Sequence, residues 1–180
     1  MKATRSLLAA MVLGTAIGAS QANAQCSGNL GTCNTTNTAS VSVGNLVKLG
    51  MTSATTTLSA PTADDVDGGL MTGPDAGPTF TIKANRSWTL KIKSGNPTNF
   101  TFAGTGVGVK PISDLLWSLT SGGAYVAITS LDATFTSGAS STNGASAQPF
   151  FKTQWTADFT SASNLPGVYS FPIVFTLTAP

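Results

Sequence analysis

Short runs in which apolar and polar residues alternate with a period of two recur from residue 41 to residue 180, with Gly, Pro, Asn and Asp between them. Phe80, Ile82 and Ala84 alternate with Thr81 and Lys83, and Trp88, Leu90 and Ile92 alternate with Thr89, Lys91 and Lys93. In the closing segment Tyr169, Phe171, Ile173, Phe175 and Leu177 alternate with Ser170, Pro172, Val174, Thr176 and Thr178. Successive side chains of a strand point to opposite faces, so this pattern buries one face and wets the other, as antiparallel sheets do. The chain has no glutamate and is rich in Thr, Ser, Gly, Ala and Asn, which leaves helices without their best surface formers. The pattern predicts an all-β protein with roughly seven to nine short strands in a two-sheet antiparallel β-sandwich of immunoglobulin-like or Greek-key kind. A closed barrel is the alternative.

Read along the chain, Val41 and Val43 open a first strand that continues irregularly through Leu46, Val47, Leu49 and Met51, and residues 53–61 form a second stretch rich in β-branched residues. Residues 63–78 read as a loop, and 80–93 as a hairpin turning at Asn85-Arg86-Ser87. Phe100 and Phe102 fall in a short strand or bend, Leu115 to Leu119 in a strand or a helical turn, and 124–130 in another strand. Residues 132–148 read as a Ser, Gly and Asn-rich connection. After it Phe151, Trp155 and Phe159 share one face. Pro172 cannot donate to a ladder, so the closing strand should lie at a sheet edge or carry a bulge there.

Lys2 and Arg5 precede the apolar run Leu7 to Ala19, and Ala22-Asn23-Ala24 offers small residues at both recognition positions of a signal peptidase. Residues 1–24 are therefore expected to be a secretory signal peptide, with residues 25–40 an N-terminal extension and 41–180 the sandwich domain. Without Lys2 and Arg5, seven cations face seven carboxylates, and nothing in the net charge steers the chain to nucleic acid or an anionic membrane. Cys26 and Cys33 are expected to pair as a disulfide in an oxidising compartment. So short a loop stabilises by only about 2.5 kcal/mol, as a terminal clasp.

With no histidine, the usual nucleophile and base arrangements cannot be assembled, and the reading is non-enzymatic with no cofactor. Asp64, Asp65 and Asp67 form a glycine-flanked cluster with two readings: a solvated turn, or a calcium site built from hard oxygens. The spacing is not that of an EF-hand. Trp88, Trp117 and Trp155 lie within apolar alternations, so core packing is expected ahead of stacking on sugar rings. Three sequons, at Asn34, Asn85 and Asn99, are expected by chance in a chain so rich in Asn and Thr.

Trp88-Thr89-Leu90, together with the closing Tyr169, Ile173, Phe175 and Leu177, resembles the two motifs of the WxL domain, with Phe in place of the distal Trp. That resemblance implies a β-rich surface module attached non-covalently to the cell wall. The ending from Pro166 to Thr178 is also similar to the last strand of spore-coat-U-like and fimbrial subunits, in which a neighbour's strand completes the sandwich. In those subunits the disulfide usually spans a longer stretch than Cys26 to Cys33. The combined expectation is a secreted or cell-surface structural or adhesive protein, whose partners are envelope components or other surface proteins. The alternatives are a pilin-like or coat subunit that polymerises by strand addition, with residues 34–47 as the donated strand, and a calcium- or carbohydrate-binding module.

Overall fold

The computed structural model describes residues 37–180. The expected signal segment, the Cys26 and Cys33 pair and most of the N-terminal extension lie outside the described residues. Among the described residues, secondary structure falls within the compact unit Val43–Pro180. In chain order its strands are β1 Val47–Met51, β2 Met71–Ala76, β3 Phe80–Ala84, β4 Trp88–Ser94, β5 Thr101–Gly104, β6 Leu115–Ser118, β7 Val126–Ala127, β8 Ala133–Gly138, β9 Thr142–Ala147, β10 Phe150–Gln154, β11 Gly167–Ser170 and β12 Ile173–Thr178. A five-residue helix, α1 Ala63–Asp67, and one 3-10 turn, Ile112–Asp114, complete the set. All the pairings are antiparallel.

The strands form an all-β sandwich. One layer combines β1-β3-β9 with β12-β4-β8, the other is β2-β10-β6-β7, and β11 pairs with β5 in a small ribbon. Between the layers Phe80, Ile82, Leu90, Ile92 and Phe135 meet Leu115, Trp117 and Phe151, all essentially buried. Trp117 and Phe135 lie 5.6 Å apart between ring centroids, and Phe80 meets Phe135 edge-on at 6.2 Å. Aromatic side chains of this size supply the largest share of buried apolar area per residue.

The expected hairpin of β3 and β4 does not form. β3 pairs with β1 and β9, whereas β4 pairs with β12 and β8. The offset of Lys83↔Asn143 and Ala84↔Thr142 carries through unchanged to Trp88↔Gly138 and Leu90↔Thr136. β3 and β4 are thus two halves of one long strand, and β9 and β8 are two halves of its partner. Both are interrupted at the same level. Asn85 explains the interruption: its backbone N–H donates to Leu46 O (3.2 Å), its Oδ1 accepts from Leu46 N (2.9 Å), and its Nδ2 donates to Gly44 O (2.8 Å). Asn and Ser bond locally to backbone in turns and in such breaks alike, so their presence marks an interruption without fixing a reversal.

Two expected loops also carry structure. In 63–78, Thr62 and Asp65 form a capping box, with Thr62 Oγ1 accepting from Asp65 N (3.2 Å) and the Asp65 carboxylate accepting from Thr62 N (2.8 Å). The single turn of α1 that follows buries Val66. Residues 71–76 form β2 despite Gly73 and Pro74, because β2 is an edge strand and is bulged opposite Lys152. The 132–148 stretch supplies β8 and β9, whose small polar residues are held by pairing to the β3–β4 strand. Conversely, residues 53–61 make no strand ladder, and β1 begins only at Val47, leaving Val41 and Val43 outside it. β10 ends at Gln154, so Phe159, 58% exposed, does not share the buried face of Phe151.

Gly73 has φ +102°, and a Cβ there would lie 2.6 Å from Phe151 O and 3.1 Å from Asp75 N. Gly73→Ala should therefore lower the unfolding free energy by about 2–3 kcal/mol, read as a fall in urea midpoint. Gly122→Ala, where an added methyl meets nothing within 4 Å, should leave the midpoint close to wild type.

Candidate functional site

β12 lies at the edge of its sheet, paired to β4 on one side only. The register sets Phe175 beside Ile92 and Leu177 beside Leu90, so the closing strand flanks the Trp88, Leu90 and Ile92 row instead of facing it. The parity expected from the sequence holds: Ile173, Phe175 and Leu177 turn inward, and Phe175 meets Phe80 at 4.3 Å and Phe135 at 5.6 Å. Yet these residues are only half-buried, whereas Leu90 and Ile92 next to them are sealed to 0% and 1% exposure. Tyr169 and Phe171, further up the same edge, are half-buried too. The core face is continuous across β4 and β12, but its cover stops short of β12.

Pro172 falls where the sequence placed a discontinuity. The chain leaves its pairing with β5 at Ser170 and takes up pairing with β4 at Ile173, while Pro172 O accepts from Gly95 N (2.7 Å). Tyr169 is held by Phe102 at 4.8 Å and donates from Oη to Leu165 O (3.1 Å), and Phe171 stands edge-on to Phe100 at 4.4 Å.

Between this edge and residues 56–61 runs a cleft of about 440 Å³. Phe100, Leu115 and Phe151 form its floor, with Leu58 on one wall and Tyr169 to Ile173 on the other. The 53–61 wall takes part in no strand and, among the described residues, makes no backbone hydrogen bond to another backbone segment. It is fastened at Ser59, whose N–H and Oγ both donate to the Asp75 carboxylate (2.8 and 2.6 Å) and whose carbonyl accepts from Thr72 Oγ1 (3.2 Å). The cleft is therefore bordered by two segments that, among the described residues, pair with no strand on the side facing it.

One end of the cleft is polar. Lys110, 1% exposed, donates from Nζ to Gln154 O (2.7 Å) and Asp114 Oδ2 (3.1 Å) and sits 4.1 Å above the Trp155 ring. Trp155 Nε1 donates in turn to Thr72 Oγ1 (3.1 Å), which links this cluster to the Ser59 clasp. Burial holds the Lys110 ammonium below the usual lysine range, opposed by the attraction and hydrogen bond of Asp114. Thr153 lines the cleft as well, and its Oγ1 is buried without a hydrogen-bond partner among the described residues.

The residues singled out from the sequence are divided among different places. Trp88 and Leu90 are interior side chains of β4, as core packing required, and Trp117 is buried on β6. Trp155 is only partly buried and caps Lys110. Asp64, Asp65 and Asp67 lie on α1, where Asp65 serves the capping box; its hydrogen bonds from Thr62 hold its carboxyl below the ordinary range. Among the described residues no three acidic, histidine or cysteine side chains converge as a metal shell would require. Lys110, Ser59 with Asp75, and Phe100 were not singled out.

No family model matches the chain, the WxL domain included, so the motif built on Trp88 and Leu90 gains no support. No curated protein matches it either. Among solved structures it is similar to the crystal structure of the P pilus rod subunit PapA, with a TM-score of 0.47 and 12% identity over 73% of this chain and 97% of that one. A score at that level carries no functional weight.

Lys110→Ala removes one partner of a buried pair and should lower stability by about 3 kcal/mol, whereas Lys110→Met, which keeps the stem, should cost less. The depressed Lys110 pKa fixes the sign of a pH effect. The folded protein holds that proton less tightly than the unfolded chain, so burial opposes folding most at neutral pH, and the opposition fades as pH rises through the depressed pKa toward the ordinary lysine value. The Tm of wild type relative to Lys110→Met should accordingly rise across that alkaline window.

Proposed function

We propose that this chain is a non-enzymatic, exported structural subunit that assembles by strand addition, each copy filling the cleft beside β12 with a strand from another copy. The observation that carries the reading is the half-buried inward face of Ile173, Phe175 and Leu177 beside fully buried Leu90 and Ile92. A strand that enters the cleft beside Tyr169 to Ile173 and runs on along β12 would satisfy unpaired backbone groups and cover Phe175 and Leu177 as well, which is how β-augmentation gains its affinity. The 53–61 wall offers backbone groups on the other side of the same cleft.

The donated segment is residues 37–43, in which Val41 and Val43 alternate with Ser40 and Ser42, whereas Gly44 to Leu46 stay bonded to Asn85, Arg86 and Ala179 of their own copy. These residues take part in no strand, and the two valines are 89% and 68% exposed. Burying each valine in an apolar cleft is worth about 1.5–3 kcal/mol, so two valines plus a ladder can hold subunits together. Among the described residues no helix is long and apolar enough to cross a membrane. A role at the cell surface follows from the expected signal peptide together with assembly outside the cell.

Purified protein, or native envelope fractions, should give a ladder of SDS-resistant oligomers on unheated gels. Val41→Asp with Val43→Asp, on the donated side, or Ile173→Asp, on the accepting side, should abolish the ladder. A synthetic peptide spanning residues 37–43 should raise the Tm of the valine double variant. A wild-type chain that stays monomeric and gains no stability from the peptide would refute strand addition.

A further inference from the structure

The charges of residues 25–180 balance, seven cations to seven carboxylates, but the fold sorts them by layer. Lys48 on β1, Lys83 on β3, and Lys91 and Lys93 on β4 all occupy the outward positions of one layer, with exposed Arg86 between the last two strands. Asp132 is the acid that answers them, at 3.2 Å from Lys93 and 4.0 Å from Lys91. Lys48, Lys83 and Arg86 have no ion-pair partner among the described residues. Lys48 and Lys83 moreover stand directly opposite each other in the β1–β3 register. Like charges in that position repel, and a threonine would serve a merely solvated face at no such cost.

The acids outside any ion pair among the described residues lie on the other layer, where the one unpaired cation, Lys152 of β10, stands over the Tyr125 ring and Asp75 of β2 is taken up by Ser59. Asp64, Asp65 and Asp67 project from α1, and Asp158 follows β10. The two segments adjoin, since a Cβ on Gly69 would sit 3.2 Å from Ala157 Cβ, and Leu70 O accepts from Trp155 N (3.1 Å). None of the four acids has a cationic partner among the described residues. One molecule thus displays a cationic sheet face, answered only at Lys91 and Lys93 by Asp132, and an anionic turn with no ion pair among the described residues.

We propose that the lysine face of one copy docks against the α1 turn of a second copy, as a salt-sensitive contact separate from the strand-filled cleft. Charge complementarity selects a second copy as the occupant, because the same chain supplies both signs in equal number. Such a contact orients partners and suppresses face-to-face pairing, in which like charges would meet. It needs no inserted strand. Where strands do link copies, the contact would form at high local concentration.

Sedimentation velocity of the purified chain, at low ionic strength and at roughly 0.5 M salt, tests the contact, because exposed charges are screened within a few ångströms at the higher salt. An SDS gel of the same sample scores strand addition separately. Wild type should show association that salt reverses. Lys48→Glu with Lys83→Glu exchanges one like-charge pair for another, so the fold is kept, and should weaken that association about tenfold or more. Asp64→Lys with Asp67→Lys, which spares the capping box, should do the same, and mixing the two variants should restore it. Salt-reversible association without an SDS-resistant ladder would support this contact while refuting strand addition. Association indifferent to salt, or a mixture that fails to recover, would overturn it. So would a lysine variant that self-associates normally but no longer binds a soluble polyanion such as heparin, which would assign the face to an anionic polymer.

Discussion

A sandwich core must be covered from both sides, and here the cover ends one strand early. β4 and β12 present one continuous apolar row, yet only the β4 half is sealed by the opposite layer. Much of the surrounding architecture turns on that shortfall. The 53–61 segment, which could have closed the gap by pairing, instead stands away as a wall fastened at Ser59. The aromatic cluster of Phe100, Phe102, Tyr169 and Phe171 keeps the upper edge rigid while leaving it open. The Lys110, Trp155 and Thr72 chain joins the floor of the cleft to its outer lip through hydrogen bonds and one cation–π contact.

The long interrupted ribbon gives this arrangement its frame. Because β3 continues into β4 without reversing, the sites that cover β1 and β12 lie end to end along the same side of one strand. Asn45 Nδ2 donates to Ala179 O (3.3 Å) at their junction, and Arg86 Nη1 donates to Asn45 Oδ1 (3.0 Å). The point at which the chain enters the fold is therefore fixed beside the point at which it leaves β12.

What the sequence made legible was parity. Alternation assigned the inward residues of β3, β4 and β12 correctly, because side-chain direction in a strand is a local property with a period of two. Pairing was another matter. Asn85-Arg86-Ser87 has turn chemistry, and only the bonds of Asn85 to Gly44 and Leu46, some forty residues away in sequence, make it a break in a continuous strand. The Gly, Ser and Pro content of β2, β8 and β9 masked strands that exist because stronger neighbours pair with them; such context routinely overrides propensity. The cleft was legible by halves: Tyr169 to Leu177 came from the pattern, but Lys110 reads as an ordinary surface lysine. Its burial depends on Gln154 O and the Trp155 ring, partners that no local window contains.

The bulge in β2 bears on how such a molecule avoids unwanted company. β2 and β12 both end their sheets, but β2 is kinked at Gly73, carries Pro74 and turns Asp75 to the clasp on Ser59, features that spoil a flat template. From Ile173 onward β12 has no such guard, and threonine or valine occupies its outward positions. A stray β-strand meeting β2 finds a blunted margin, whereas one meeting β12 finds a receptive one. Under the proposed strand addition, that asymmetry favours growth in one direction over branching.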